Sequence, residues 1–529
     1  MSDASVLPAS RGRSAPAAAP RRLCAATLGL AAVGLCWLGQ PAAATTVATP
    51  GAVTVFGAAG SFGTLGHTLP TRQPVTKIGV SGWSFLPGQA AYTTALGPDG
   101  TLLIGNEPQT DVQTSPTAPT MVVSAFTPGT RSFRNLVIPT STGALSATAP
   151  GARSGGADIG GIATGADGSV AFVSSVPYHG WDQATRGQYP SVGFLKGGQG
   201  AASYRYASGL TGDALQQVSN PVLACPFKVV SHDCNGLSDL VGLAGGRFAV
   251  AAYMGDQAAD SGSVVVLSAQ GRALQRLQLP AMRLAGGALA AVRPRLATAS
   301  TTGSEVAIVA DVTSGTRTYP HVLIRFQVRD GVLHQSSPFL LPQDPAGRKL
   351  GYEAARFDGR GNLWVSEAVS NTLEGGRTGV FLAGTTASTA GCPALSGPSA
   401  SPEDAVRCSP SISSAVTSSQ GLVRMMTADP LTGDMYLATM SGYLQRLTLS
   451  VGATTSLTAA PTVDLGLGSL VDRSRFWVAP RQGVIDPVTR TLYFPVQQLL
   501  SPAVCASSCP PTVLPQWVYG VALTRPSTP

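Results

Sequence analysis

The residues of this sequence best suited to chemistry are acidic residues and arginines at corresponding places of a repeated pattern. Asp, Glu, Lys and Arg make up only 12% of the chain, so a local concentration of charge is informative. When the repeats are aligned on their shared turn, the ends of two neighbouring strands carry Glu107, Asp158, Asp239, Glu353, Glu367, Arg424 and Arg481. Converging carboxylates can bind Ca²⁺ or Mg²⁺ through oxygen or supply an acid or a base.

Two interpretations of these charged residues remain open. In the first, six side chains converge and bind a cation or a polar ligand: Asp158, Asp239, Glu353, Glu367, Arg424 and Arg481. The arginines or a cation would then offset the repulsion between the carboxylates. In the second interpretation, each carboxylate caps a turn or accepts a strand N–H group within its own repeat, because buried acceptors need donors wherever they lie.

The repeat that positions these residues is a turn signal followed at once by a short β-prone run. It occurs seven times, over residues 99–104, 167–172, 245–250, 303–308, 360–365, 432–437 and 489–494. Short strands that recur in a unit of this kind are typical of propeller blades. The sequence therefore predicts an all-β, seven-bladed β-propeller with short antiparallel strands and long loops on its top face.

The chain is expected to have three parts. Residues 1–44 have the positive start, the apolar stretch and the small-residue cleavage site of a secretion signal, cleaved near Ala44. Residues 45–90 are expected to close the ring, and residues 91–525 to form the propeller. The segment 384–420 is rich in Ser, Ala and Pro and is interpreted as a disulfide-stapled surface insertion.

Six cysteines lie outside the signal, and each is close in sequence to one other. Six cysteines allow fifteen connectivities. Because short loops lose the least entropy on closure, and because a secreted chain meets an oxidising compartment, we predict the pairs Cys225–Cys234, Cys392–Cys408 and Cys505–Cys509. A zinc site is the alternative, although the spacing lacks the usual ligand pattern.

Two phrases of the repeat resemble blades of the NHL, gluconolactonase and streptogramin-lyase group of propellers. They are Phe-Asp-Gly-Arg-Gly-Asn-Leu-Trp-Val at 357–365 and Asp-Pro-Leu-Thr-Gly-Asp-Met-Tyr-Leu at 429–437. The resemblance covers most of residues 90–525 and implies a propeller fold. It is carried by strand and turn residues, which build a blade and do not specify a reaction.

The same resemblance implies what the charged residues could do. Gluconolactonase-like propellers bind a divalent cation in the central channel, which implies a Ca²⁺ or Mg²⁺ site at Glu107, Asp239 and Glu353. Streptogramin lyases use a histidine base beside Mg²⁺. No histidine occupies a predicted strand top here, so the candidate base is His179, which lies in a predicted long loop.

Composition narrows the function further. The net charge is +8, but there is no clustered run of Lys and Arg, so nucleic acid is not expected as a partner. No stretch after the signal is long and apolar enough to span a bilayer. We expect a secreted monomer, extracellular or periplasmic, that binds a small-molecule or saccharide ligand at the top-face channel. The alternative is a metal-assisted lyase or hydrolase acting on a lactone, ester or polysaccharide, and the sequence leaves open whether the protein is an enzyme.

Overall fold

The computed structural model describes part of the chain. It comprises residues 53–57, 62–64, 91–97, 99–106, 120–139, 158–165, 168–175, 191–196, 205–210, 237–252, 261–269, 271–284, 287–314, 317–337, 339–343, 350–369, 375–384, 406–407, 412–415, 422–439, 442–465, 476–478, 481–498 and 516–523. All of them belong to the unit Ala48–Pro529; a second unit, Met1–Val47, lies outside the described residues. Apart from a 3-10 turn at Ala244–Gly246, the regular structure described is all β.

The described strands form seven sheets, numbered I to VII. The first two strands, β1 (Val53–Gly57) and β2 (Phe62–Thr64), belong to sheet VII. Sheet I contains β3 (Ala91–Leu96), β4 (Leu102–Asn106), β5 (Thr120–Thr127) and β6 (Ser132–Pro139). Sheet II contains β7 (Asp158–Thr164), β8 (Val170–Ser175), β9 (Ser191–Lys196) and β10 (Arg205–Leu210). Sheet III contains β11 (Leu237–Leu243), β12 (Arg247–Ala252), β13 (Ser263–Leu267) and β14 (Ala273–Gln278).

The remaining strands complete sheets IV to VII. Sheet IV contains β15 (Met282–Arg283), β16 (Leu289–Ala299), β17 (Glu305–Ser314), β18 (Arg317–Arg329), β19 (Val332–Gln335), β20 (Leu340–Leu341) and, paired in parallel with β20, β24 (Val406–Arg407). Sheet V contains β21 (Leu350–Phe357), β22 (Leu363–Val369), β23 (Gly375–Phe381) and β25 (Ile412–Ala415). Sheet VI contains β26 (Val423–Ala428), β27 (Met435–Thr439), β28 (Tyr443–Ser450), β29 (Ser456–Ala459) and β30 (Val463–Asp464). Sheet VII adds β31 (Phe476–Val478), β32 (Val484–Asp486), β33 (Thr491–Gln498) and β34 (Gln516–Ala522), the last paired antiparallel with β1.

Strand β13 is apolar on both faces because it packs between two other sheets. In β13, Val264 and Val266 belong to a core cluster shared with sheet IV. The alternate residues Val265 and Leu267 belong to a different cluster, shared with sheet II. Successive side chains of a strand point to opposite faces, so this alternation buries every residue of the strand. It explains a chain with 44% hydrophobic residues and little charge.

The repeated turn joins two adjacent antiparallel strands of each sheet, as the repeat predicts. The strand before the turn is called the first strand; in sheets I to VII it is β3, β7, β11, β16, β21, β26 and β32. In sheet V the Asp358 N–H donates to the Asn362 carbonyl at 2.9 Å, and Gly361 has φ 83°. Gly100 and Gly168, at the corresponding places of sheets I and II, have φ 75° and 78°. Only glycine adopts this conformation without steric cost, which is why it recurs in the turn.

The residues that carry the family resemblance build these turns. The Asp358 carboxylate accepts hydrogen bonds from the Asn362 N–H and the Trp364 indole N–H, both at 2.9 Å. In sheet VI the Asp429 carboxylate accepts from the Leu431 N–H and the Thr432 hydroxyl, both at 3.0 Å. These aspartates fix backbone geometry, as Asx turns do.

The first strands lie side by side in chain order, and sheet VII also contacts sheet I. The hydrogen bonds between sheets include Thr164 Oγ1 to Leu96 O, Ala297 N to Asp239 Oδ2 at 2.7 Å, Arg295 Nη1 to Glu353 Oε2 at 3.2 Å, Gly483 N to Thr427 Oγ1 at 2.7 Å and Gln482 N to Thr94 Oγ1 at 3.1 Å. Apolar packing links sheets II and III through Ala163 and Leu240, and sheets V and VI through Trp364 and Met426.

A β-bulge interrupts the first strand of six sheets at one shared place. The register shifts at Tyr92, Gly160, Ser238, Arg295, Glu353 and Arg424. A bulge redirects side chains and is often found next to functional sites. Two of the charged residues aligned from the sequence, Glu353 and Arg424, lie in these bulges, and Asp239 directly follows the bulge of β11.

Among the described residues, no helix has the length and apolar character needed to cross a membrane.

Candidate functional site

A cavity of about 310 Å³ lies among the first strands. Each of the seven sheets contributes to its wall, through β3, β7, β11, β16, β21, β26 and the segment 481–482 that leads into β32. The wall combines apolar side chains such as Leu240 with hydroxyl and amide groups such as Thr298 and Gln482. Three arginines also line it: Arg356, Arg424 and Arg481. A concave, mostly apolar site with a few convergent polar groups is the usual form of a ligand pocket.

Asp239 is fully buried behind this wall and neutralises one of the arginines. Its Oδ1 forms an ion pair with Arg481 Nη1 and accepts the Leu240 N–H. Its Oδ2 accepts the Ala297 N–H at 2.7 Å. Burial raises the pKa of the Asp239 carboxyl to about 6, although Arg481 and these two N–H groups act to lower it. Asp239 is therefore ionised at neutral pH and takes up a proton in mild acid.

The backbone of Arg481 is held in an uncommon conformation. Its φ is 96°, a value that residues with a side chain rarely adopt. A parallel bridge to β26 fixes it there, because the Met426 N–H donates to the Arg481 carbonyl and the Arg481 N–H donates to the Arg424 carbonyl, both at 2.8 Å. Such backbone strain costs on the order of 1–3 kcal/mol and clusters at functional sites. Here it accompanies the ion pair with Asp239.

Arg356 is the arginine that lacks such a carboxylate. Within the part of the chain that the structure describes, its guanidinium forms no ion pair and no side-chain hydrogen bond, and its side chain keeps partial exposure on the cavity. Burial lowers the pKa of Arg356 to about 10; the charge of Arg481 lowers it further and that of Asp239 opposes this. The group stays charged at neutral pH, and its charge is poorly compensated.

A second cluster adjoins the third arginine of the cavity. Arg295 Nη1 lies 3.2 Å from Glu353 Oε2, and His321 Nδ1 lies 3.0 Å from Glu353 Oε1. His321 Nε2 lies 3.4 Å from Asp311 Oδ1. Burial raises the pKa of Glu353, but His321 and Arg295 outweigh this and hold it below its ordinary value. Burial and the charge of Arg295 lower the pKa of Arg424, whereas Glu353 raises it.

Glu367 has a partner within its own sheet. Its Oε2 accepts from Arg377 Nε at 2.9 Å and Nη2 at 2.6 Å, and Arg377 also donates to the Gln343 carbonyl. Glu367 is fully buried. Burial, and the charge of Glu367, raise the pKa of Tyr352 on the neighbouring strand. For Glu367 this arrangement follows the second interpretation, in which a carboxylate serves its own repeat.

The structure brings together part of the set predicted from the sequence. Asp239 and Arg481 form an ion pair, and Glu353 and Arg424 interact electrostatically. Asp158 starts strand β7, but its side chain lies outside the described part. Further predicted residues are outside it altogether: Glu107, His179, Cys225, Cys234, Cys392, Cys408, Cys505 and Cys509. The general base at His179 and the three disulfides stay predictions.

Sequence reasoning missed Arg356, and it also missed Arg295 and His321 as members of the site. A usable signal existed for Arg295, which stands eight residues before Gly303, just as Glu353 stands eight residues before Gly361. Both occupy the bulge of their first strand. Arg356 had no such signal, since the corresponding residues of the other repeats are uncharged.

The cation site implied for Glu107, Asp239 and Glu353 stays a prediction. Both oxygens of Asp239 accept protein donors, and both oxygens of Glu353 face Arg295 or His321. A divalent cation would have to displace Arg481 from Asp239 and Arg295 from Glu353, so the arrangement of the two described carboxylates does not fit one. Within the described residues, no group of three or more His, Cys, Asp or Glu has the geometry of a metal site.

Comparison with solved structures gives distant similarities. Sqt1 from Saccharomyces cerevisiae has a TM-score of 0.38 and 11% identity, covering 79% of this chain and 84% of that chain. Sqt1 from Chaetomium thermophilum, bound to the N-terminus of the ribosomal protein L10, has a TM-score of 0.38 and 11% identity, covering 78% and 84%. U3-55K has a TM-score of 0.38 and 10% identity, covering 81% and 95%. These are WD40 β-propeller proteins and not members of the NHL group that the sequence phrases resemble.

No protein-family model matches the chain, and no curated protein matches it in sequence.

Proposed function

We propose that this protein is a secreted seven-bladed β-propeller that binds a small polar ligand in its central cavity and does no chemistry on it. In this proposal sheets I to VII are the seven blades and their first strands surround the cavity. The secretion signal at 1–44 supports an extracellular or periplasmic location.

One observation carries the binding function. A cavity of about 310 Å³ is walled by the first strands of six sheets and by residues 481–482 of sheet VII, and it bears three arginine side chains. Charged groups are expensive to hold inside a protein, and a fold that needs only packing there would use apolar residues. Ligand pockets span roughly 300 to 1,000 Å³, so the cavity suits a small molecule or one sugar unit better than a polymer.

This location differs from the top-face channel that the sequence suggests. The cavity wall includes Ser300, Thr301 and Gly303, which belong to the turn between β16 and β17. The wall therefore reaches the end of the first strands at which the short turns lie. Most residues of the long loops predicted from the sequence lie outside the described part.

Filling the cavity tests the proposal. Ala355 lines it, and Ala355→Trp would place an indole in the space. A screen of small sugars and organic acids by thermal shift is expected to find ligands for the wild type that this variant no longer binds. The matched control is Ala459→Trp on the exposed face of β29, which is expected to bind like the wild type. Ligands that bind both variants equally would place the site elsewhere.

A second candidate function, lyase or hydrolase chemistry, is favoured by His321. His321 Nδ1 lies 3.0 Å from Glu353 Oε1 and 3.1 Å from Arg295 Nη1, and Nε2 lies 3.4 Å from Asp311 Oδ1. Each ring nitrogen therefore faces a carboxylate with which it can exchange a proton. A carboxylate that orients an imidazole in this way is a common acid–base arrangement. His321→Gln should then abolish turnover of any lactone, ester or polysaccharide substrate while ligand binding persists. Retained turnover would exclude His321 as the base.

A further inference from the structure

The cavity wall carries positive charge only. Among its described residues there are three arginines and no Asp or Glu. The carboxylate of Asp239, behind the wall, pairs with Arg481. The Glu353 carboxylate is shared between Arg295 and His321 and only partly offsets Arg424. An excess of cationic charge therefore faces the space.

Arg356 concentrates this excess. Its guanidinium forms no ion pair with the described residues, whereas Arg481 does and Arg424 lies near Glu353. A half-buried charge without an ion-pair partner is costly, so its retention calls for a compensating group. In the unliganded protein that group can only be solvent or a bound anion.

The chemistry of guanidinium names the class of anion. Arginine presents a planar fork of donors that matches the two oxygens of a carboxylate or a phosphate. The cavity of about 310 Å³ admits a small molecule of this kind. The Thr298 hydroxyl, which lines the same wall and has no hydrogen-bond partner among the described residues, can bind a further polar group of the ligand.

We propose that the ligand of the central cavity is a small organic oxyanion, a carboxylate or a phosphate, and that Arg356 is the residue that binds it. This inference rests on the proposed function and names the ligand class for the same cavity. Arg424 and Arg481 assist by adding positive potential, while Arg356 supplies the bidentate contact.

Calorimetric titration of the purified protein tests this inference with three probes: succinate, inorganic phosphate and glucose. The wild type is expected to bind succinate or phosphate, and the tighter of the two shows whether carboxylate or phosphate is preferred. Arg356→Met should weaken this binding at least 10-fold. Arg272→Gln, a change of charge at an exposed turn of sheet III, should leave it unchanged.

Thermal unfolding separates a binding role from a structural one. Because Arg356→Met removes an uncompensated charge and keeps an apolar stem, the unliganded variant should have a Tm equal to that of the wild type or up to about 3 °C higher. A Tm several degrees lower would show that the fold itself uses the guanidinium and would overturn the inference.

If Arg356→Met fails to fold, Arg356→Lys replaces it, with an expected loss of about 3- to 10-fold in affinity since the fork is lost. Wild-type affinity in Arg356→Lys would also overturn the inference.

The remaining outcomes distinguish the inference from the proposed function. Equal binding of the anions to wild type and Arg356→Met overturns the inference. Another outcome is that glucose binds to the wild type but not to Ala355→Trp, while neither anion binds. In that case the inference is wrong and the proposed function is supported. If no small molecule of the wider screen binds in the cavity, both fall.

Discussion

The carboxylate of Asp239 forms an ion pair with the guanidinium of Arg481, although these residues come from sheets III and VII, which are not neighbours in the order of the sheets. The pair therefore joins distant sides of the cavity. Burial makes the charged form of the Asp239 carboxylate costly, although Arg481 and two backbone N–H groups stabilise it. Protonation of Asp239 should therefore change both the free energy of unfolding and the affinity of the cavity for anions.

The contribution of Asp239 to the free energy of unfolding should decrease as the pH rises from about 4 to about 6. Its pKa is raised from 3.8 to about 6 in the folded protein. The folded state therefore retains a proton that the unfolded state releases, so the stabilisation is present below pH 4 and is lost as pH rises through 6. The full effect is about 3 kcal/mol.

Chemical denaturation at a series of pH values measures this contribution in wild type and Asp239→Asn. As the pH rises from 4 to 6, the unfolding free energy of the wild type should fall relative to that of Asp239→Asn. A difference that stays constant across this window would show that Asp239 titrates elsewhere.

Anion binding should depend on the same carboxyl group. When Asp239 is protonated below pH 6, Arg481 loses its counter-charge and the cavity becomes more positive. Succinate or phosphate should then bind more tightly at pH 5 than at pH 8, by about 3- to 10-fold after correction for the protonation of the probe. Titration calorimetry at both pH values checks this. Asp239→Asn should bind tightly at both, and a variant that keeps the wild-type dependence would contradict the assignment.

The sequence could predict the fold class and the turns because both arise from local patterns. The glycine of each turn and the alternation in β13 follow from backbone geometry and burial, which short stretches encode. The alignment of repeats also identifies four of the charged candidates from the sequence, because it places them at corresponding positions: Asp239, Glu353, Arg424 and Arg481.

Two features lay beyond the reach of the sequence. The pairing of Glu367 with Arg377 depends on the register of β22 and β23, which the repeat does not specify. The position of Arg356 on the cavity depends on how the first strands pack against one another, so no motif marks it. Pairing partners and cavity walls are set by contacts between residues distant in sequence.

Glu353→Gln should destabilise the protein at neutral pH. The change removes the charge that pairs with Arg295 at 3.2 Å and with His321 at 3.0 Å in a buried setting. The expected loss is about 2 kcal/mol. The pKa of Glu353 is lowered in the folded state. Its contribution to the free energy of unfolding is therefore fully present at a pH above the ordinary pKa of a glutamate, and it is lost as the pH falls through the lowered pKa of the folded protein. Denaturation at pH 7 and pH 3 should therefore show a smaller gap between variant and wild type in acid, and a gap that grows in acid would contradict this.

Asp429→Asn should destabilise the fold without affecting the cavity. Asp429 is buried and pairs with Arg490 of sheet VII, with Oδ1 3.0 Å from Nη1, while it also fixes its own turn. Removing one partner of this buried pair should cost about 3 kcal/mol of unfolding free energy. Oxyanion affinity of the folded variant should equal that of the wild type. A large change in affinity would mean that the cavity depends on this distant ion pair.

The most direct test of the account is a crystal structure of the protein soaked with succinate or phosphate, whichever binds more tightly. The crystal structure should show seven sheets around one cavity and electron density for the anion inside it, with two anion oxygens within hydrogen-bond distance of the Arg356 guanidinium. Density for the anion only at other sites, or a cavity that stays free of it at a saturating concentration, would contradict the account.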